Sequence, residues 1–181
     1  MSMIKFQDSN FLNGFHLSNI VAIEDTYNGY AFGLQYSATV GGSTVDVAAT
    51  PLVDATAVQA GDFYVMMNII DKPEIENTED YKVVSGEFIR GFKLKDYVGQ
   101  FVNLSADLVT DTYSGVSVGN YLVPRSLADT TNYMKWKKAT DVSGYEVYLE
   151  VVKKNTFGAF TIDAGGGTVA GGYLCVIKST N

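Results

Sequence analysis

Apolar side chains return at every second position in two stretches of the chain, Phe32, Leu34, Tyr36, Ala38 and Val40, and again Tyr145, Val147, Leu149 and Val151. A two-residue period marks a strand with one buried face, whereas an amphipathic helix repeats its apolar residues at three- and four-residue steps. The first stretch runs into Gly41 and Gly42 and then Ser43 to Ala49, with Val45 and Val47 facing one way. Paired glycines supply the positive φ angles of a tight primed turn, so Tyr30 to Ala49 reads as a β-hairpin.

The same reading predicts a strand over Phe63 to Ile70, interrupted only by Asn68, then an acidic loop from Asp71 to Asp80 that contains Pro73. Beyond it come eight short runs: Tyr81 to Val84, Glu87 to Leu94, Gly99 to Leu104, Val116 to Val123, Tyr133 to Lys137, Tyr145 to Val152, Phe157 to Ile162 and Tyr173 to Ile177. Short strands separated by turn residues are the signature of a sandwich or barrel. Helix has little room: Leu94 to Val98 and Ser105 to Val109 allow one or two turns each, the second with Ser105 as its cap. The expected fold is therefore all-β, an antiparallel sandwich or barrel, in three parts: an arm over residues 1–27, a hairpin lobe over 28–80 and a barrel or sandwich module over 81–181. The arm lacks periodicity, yet Phe6, Phe11, Leu12, Phe15, Leu17 and Ile20 are too many apolar residues for a solvated tail. They pack on their own molecule or dock on a neighbour.

At 181 residues the chain is long enough to bury a core without covalent staples. Cys175 is the only cysteine, which excludes an intramolecular disulfide and a multi-cysteine zinc site. Flanked by Tyr173, Leu174, Val176 and Ile177, it reads as a small buried hydrophobe. The first apolar run, Ile20 to Ile23, is too short for a membrane span or signal-peptide core, so no membrane association is expected. The net charge of −7 is concentrated early, with 4 basic and 12 acidic residues in positions 1–90 against 9 and 8 in the remainder. Such a field repels a phosphate backbone, and Lys135, Lys137 and Lys138 form the only basic cluster, so nucleic acid is not an expected partner.

Catalytic hardware is absent from the pattern. His16 is the only histidine, and no nucleophile-elbow motif accompanies it. With one histidine and one cysteine a metal would need mainly oxygen ligands. Asp71, Glu74, Glu76, Glu79 and Asp80 cluster but lack the Asp-x-Asp-x-Asp-Gly spacing of a calcium loop, and read as a solvated loop. Gly165-Gly166-Gly167-Thr168-Val169-Ala170 formally fits a dinucleotide fingerprint, but too little chain follows for the helix and crossover that this site requires. The Gly166 to Gly171 spacing of a phosphate loop fails because Gly172 stands where lysine is needed. No metal, no cofactor and no enzymatic activity are expected. Tyr133 to Lys138 mixes aromatics with lysines, and Trp136 reads either as core, with lysines reaching outward, or as a stacking platform.

Gly86-Glu87-Phe88-Ile89-Arg90-Gly91-Phe92-Lys93-Leu94, continuing through Lys95-Asp96-Tyr97-Val98-Gly99-Gln100 and Val102-Asn103-Leu104-Ser105, and later Leu149-Glu150-Val151-Val152-Lys153-Lys154-Asn155-Thr156-Phe157-Gly158, resembles a β module found among small virion proteins of tailed bacteriophages. The resemblance lies within Val83 to Phe160, under half of the chain, and rests on strands and turns. It implies a capsid decoration or cement protein, or a minor head component, made in the host cytoplasm and located in the virion. Its partner would be the major capsid protein or another virion protein, with homo-oligomers expected. The candidate contact residues are Phe6, Phe11, Phe15, Tyr133 and Trp136. The alternative is a carbohydrate- or receptor-binding β module of a fibre or adhesin, which would expose Tyr133 and Trp136.

Overall fold

Gly41 and Gly42 adopt φ of 57° and 84°, and between them strands β4 (Ala31–Val40) and β5 (Ser43–Thr50) fold back as the expected hairpin. The computed structural model describes residues 4–6, 17–68, 82–155 and 171–180. Around the hairpin, β2 (Leu17–Ala22), β6 (Tyr64–Met66) and β8 (Phe88–Lys93) complete a closed barrel in the order β2-β5-β4-β6-β8. Every neighbouring pair is antiparallel except β2 with β5, where Val21 lies opposite Ala48 and Ala22 opposite Ala49. Residues 17–22, read from sequence as part of an arm, are thus a wall of the barrel. Ile20 and Ala22 point into it and are buried.

Ile20, Phe32, Ala49, Met66 and Ile89 fill the barrel interior. Gly91 sits where a Cβ would lie 2.8 Å from Phe32 Cζ and 2.9 Å from Ile20 Cδ1, so the missing side chain is what lets β8 close against this filling. The period-two stripe of β4 holds at Phe32 and breaks at Tyr36, which is 69% exposed. Ser37 follows with φ 52°, outside the range of regular strand backbone, and beyond it Ala38 and Val40 join a separate cluster with Val21 and Ala48. The outer half of the hairpin therefore buries a different surface from its base.

The second layer is a six-stranded antiparallel sheet of β1 (Ile4–Phe6), β9 (Phe101–Ser105), β13 (Gly172–Ser179), β12 (Val147–Asn155), β10 (Tyr121–Pro124) and β11 (Trp136–Ala139), in that order. Alternation now reads as expected: Val147, Leu149 and Val151 of β12 and Tyr173, Cys175 and Ile177 of β13 are buried. They meet Ala31, Phe63, Val65 and Phe92 from the barrel's outer wall in one continuous core. A short ladder, β3 (Thr26–Tyr27) with β7 (Lys82–Val83), completes the all-β architecture. Because β8 closes the barrel and β1 belongs to the sheet, strands from either side of the 80/81 boundary share both layers.

The helical content differs from the sequence reading at α1 (Ala55–Gln59) and at two single 3-10 turns, Tyr113–Gly115 and Leu127–Asp129. Helix α1 forms where none was expected, its Asp54 carboxylate accepting from the Ala57 N–H at 2.9 Å. Leu94–Tyr97 and Ala106–Leu108 are single 3-10 turns, and Ser105, at the cap position of the second, makes no side-chain capping bond to it.

Candidate functional site

Trp136 opens β11 and is fully buried, its ring edge-on to Phe63 with centroids 6.3 Å apart and planes at 71°. Its indole N–H donates to the Gly29 carbonyl at 2.9 Å. Both the apolar face and the polar edge of this side chain are consumed inside the molecule, which removes Trp136 as a contact residue and settles its role as core. Met134 is buried as well, but it belongs to the barrel cluster while Trp136 belongs to the main core. Met134 adopts φ 69° just before the strand begins, which turns it toward the other cluster.

Tyr133 stays half-buried beside the barrel cluster, and its hydroxyl donates to Glu24 Oε2 at 3.0 Å. That bond, with the carboxylate's charge, holds the phenol above its ordinary range. The other carboxylate oxygen, Glu24 Oε1, is buried with no hydrogen-bond partner. The neighbouring Tyr30 is pushed up to about 12, first by burial and then by the charges of Tyr27 and Glu24. Tyr133 is therefore tied into a phenol and carboxylate corner, and does not form a platform with Trp136.

Phe6 ends β1, in register with Val102 of β9. Phe11, Phe15, His16, the acidic loop and the glycine cluster at 165–167 lie outside the described residues. Within the basic cluster Lys137 Nζ lies 2.7 Å from Asp129 Oδ1, and Lys138 Nζ donates to the Gly115 carbonyl at 2.9 Å. Among the described residues no group of three or more His, Cys, Asp or Glu side chains is placed to hold a metal ion. None of the described helices is long and apolar enough to cross a membrane.

Among the described residues there is a concave site that the sequence reading did not assemble. Cross-strand register sets Phe32 opposite Tyr64 and Tyr64 opposite Lys93, so all three share the face of the barrel that points inward. Phe32 lies deep. Tyr64 and Lys93 come at the mouth, where β4 pairs with β6 only over Ala31 and Phe32 and then diverges. The gap is a groove of about 490 Å³, with Leu34 and Tyr64 along it, Tyr36 and Val53 exposed at its lips, and Pro51 and α1 on the opposite wall. The Tyr64 ring is stacked on Phe32 at 6.1 Å and 24°, which fixes its face. At the rim Lys93 Nζ lies 2.5 Å from Asp62 Oδ1. The hydrogen bond to Asp62 holds Lys93 above its ordinary range, and burial keeps the Tyr64 phenol protonated.

Chemically the groove offers two aromatic faces, apolar walls and one internally neutral pair of a donor and an acceptor. The residues that line it include neither an activated nucleophile nor two facing carboxylates. Tyr36 was visible in the sequence only as a member of an inward-facing stripe. Asp62 and Lys93 had no signal, since each is an ordinary charged residue beside a strand until the barrel closes. No protein-family model matches this chain, and no curated protein or solved structure is significantly similar to it.

Proposed function

We propose that the chain is a non-enzymatic structural protein of a tailed-phage virion, a capsid decoration or cement protein or a minor head component that binds the assembled shell. The observation that carries the proposal is the contrast between a two-layer β scaffold with a buried core and the large apolar side chains it holds outward. Tyr36 and Phe88 project from barrel strands at 69% and 65% exposure, and Phe101 and Val152 from the outer face of the sheet. Apolar anchors on preorganised strands give contact area with little entropy lost on binding, which is what association with a large surface requires. The resemblance of Val83 to Phe160 to small virion proteins supports the same reading, and the net charge of −7 suits a shell protein that must avoid packaged nucleic acid.

The test is co-sedimentation of the purified chain with mature phage heads prepared from its own source. Stoichiometric recovery with the particles, reduced by Phe88→Ser or Phe101→Ser, is the expected result. Recovery of all the protein at the top of the gradient would overturn the proposal. Deletion of residues 1–19 is not a clean test of an arm, because it removes Leu17–Asn19 from β2.

The carbohydrate- or receptor-binding alternative loses the residue it was built on, since it needs an exposed Trp136 and the indole is buried.

A further inference from the structure

We infer that the barrel mouth between Tyr36 and Tyr64 is a binding site for an uncharged saccharide. The inference goes beyond shell binding and stands or falls separately from it.

Its size is the first argument. A volume of about 490 Å³ lies in the range of small-ligand sites, and barrel mouths are a preferred place for them. The second is the nature of the surfaces. A pyranose has an apolar C–H face and a rim of hydroxyls, each both donor and acceptor. The groove answers the face with Tyr36, exposed on its strand, and with Tyr64, held in orientation by Phe32. It answers the rim with the Asp62 carboxylate as acceptor, the Lys93 ammonium and tyrosine hydroxyls as donors, and the Thr50 hydroxyl as either.

Charge decides between ligand classes. Asp62 and Lys93 neutralise each other at 2.5 Å, so the groove has no surplus positive charge to recognise a carboxylate, sulfate or phosphate. The surrounding protein, at −7, disfavours anionic ligands further. An uncharged ligand with paired donors and acceptors is what remains. On the α1 side the groove is lined by the small side chains of Ala57 and Ala60.

The experiment is an NMR titration of the full chain with methyl glycosides of glucose, galactose, mannose and N-acetylglucosamine, with sialyllactose and a proline-rich decapeptide as competing ligand classes. Expected is saturable binding of at least one neutral glycoside, with shifts at Leu34, Tyr36 and Lys93. Tyr36→Ala should weaken it roughly tenfold without changing the melting temperature, because the ring is already in solvent. Asp62→Asn provides a second variant that keeps the size of the side chain while removing its charge, and it too should weaken binding. The inference is overturned if no neutral glycoside saturates, if both variants bind as the parent does, or if sialyllactose or the peptide is the ligand that shifts these residues. Phe88→Ser and Phe101→Ser, which lie outside the groove, should bind the glycoside as the parent does, so a loss of head co-sedimentation in these variants reads the shell-binding proposal separately from the saccharide site.

Discussion

The Trp136 indole N–H donates to the Gly29 carbonyl at 2.9 Å, joining residues 107 positions apart. One partner opens a strand of the sheet, and the other lies in the turn before the barrel strand β4. Gly29 is held at φ 94°, where an added Cβ would lie 2.3 Å from Leu108 Cδ1. The bond, the turn and the packing of Leu108 are therefore a single local solution to docking the two layers. Trp136→Phe keeps much of the ring but leaves the carbonyl without this donor, and should destabilise the fold by about 1–3 kcal/mol. Trp136→Ala also opens a cavity against Phe63 and should lose about 3–5 kcal/mol. Urea denaturation followed by tyrosine fluorescence or circular dichroism measures both, and equal midpoints for parent and Trp136→Phe would show that the bond contributes nothing.

Acid should weaken the β10 to β11 connection through Asp129. Burial pushes this carboxyl up, but the Lys137 hydrogen bond, the Ser126 N–H and the charges of Lys137 and Arg125 outweigh it, so the net direction is down from 3.8. A carboxyl with a lower value in the folded state than in the unfolded chain stabilises the fold above its unfolded value and loses that contribution as the pH falls through the folded one. Between about pH 5 and pH 3 the parent should therefore lose more stability than Asp129→Asn. Chemical denaturation at several pH values reads the difference, and parallel curves would sink the assignment.

Cys175 should be silent toward thiol reagents while the protein is folded. It is fully buried, and burial pushes the thiol well above its ordinary range, so the reactive thiolate is both inaccessible and disfavoured. Native protein at pH 8 should show no fast labelling by a disulfide-exchange reagent and one full equivalent in denaturant. Rapid labelling of the native state would show that the β12 to β13 ladder opens locally.

The all-β class, the β4 to β5 hairpin and the burial of Cys175 follow from the sequence alone, because turn chemistry and a two-residue period are local properties that neighbouring residues dictate. Gly41 and Gly42 require no distant partner to turn the chain, and Tyr173, Cys175 and Ile177 alternate whatever covers them. What covers a face is another matter, and only the tertiary structure decided it. Residues 17–22 became a wall of the barrel because β5 and β8 flank them, Tyr36 left its stripe where the backbone departs from regular strand geometry at Ser37, and Trp136 found its acceptor far away in sequence. The groove depends on closure in the same way, since Tyr36, the neighbouring Asp62 and Tyr64, and Lys93 come from three separate segments and no spacing among these segments marks a common site until the barrel brings them to one mouth.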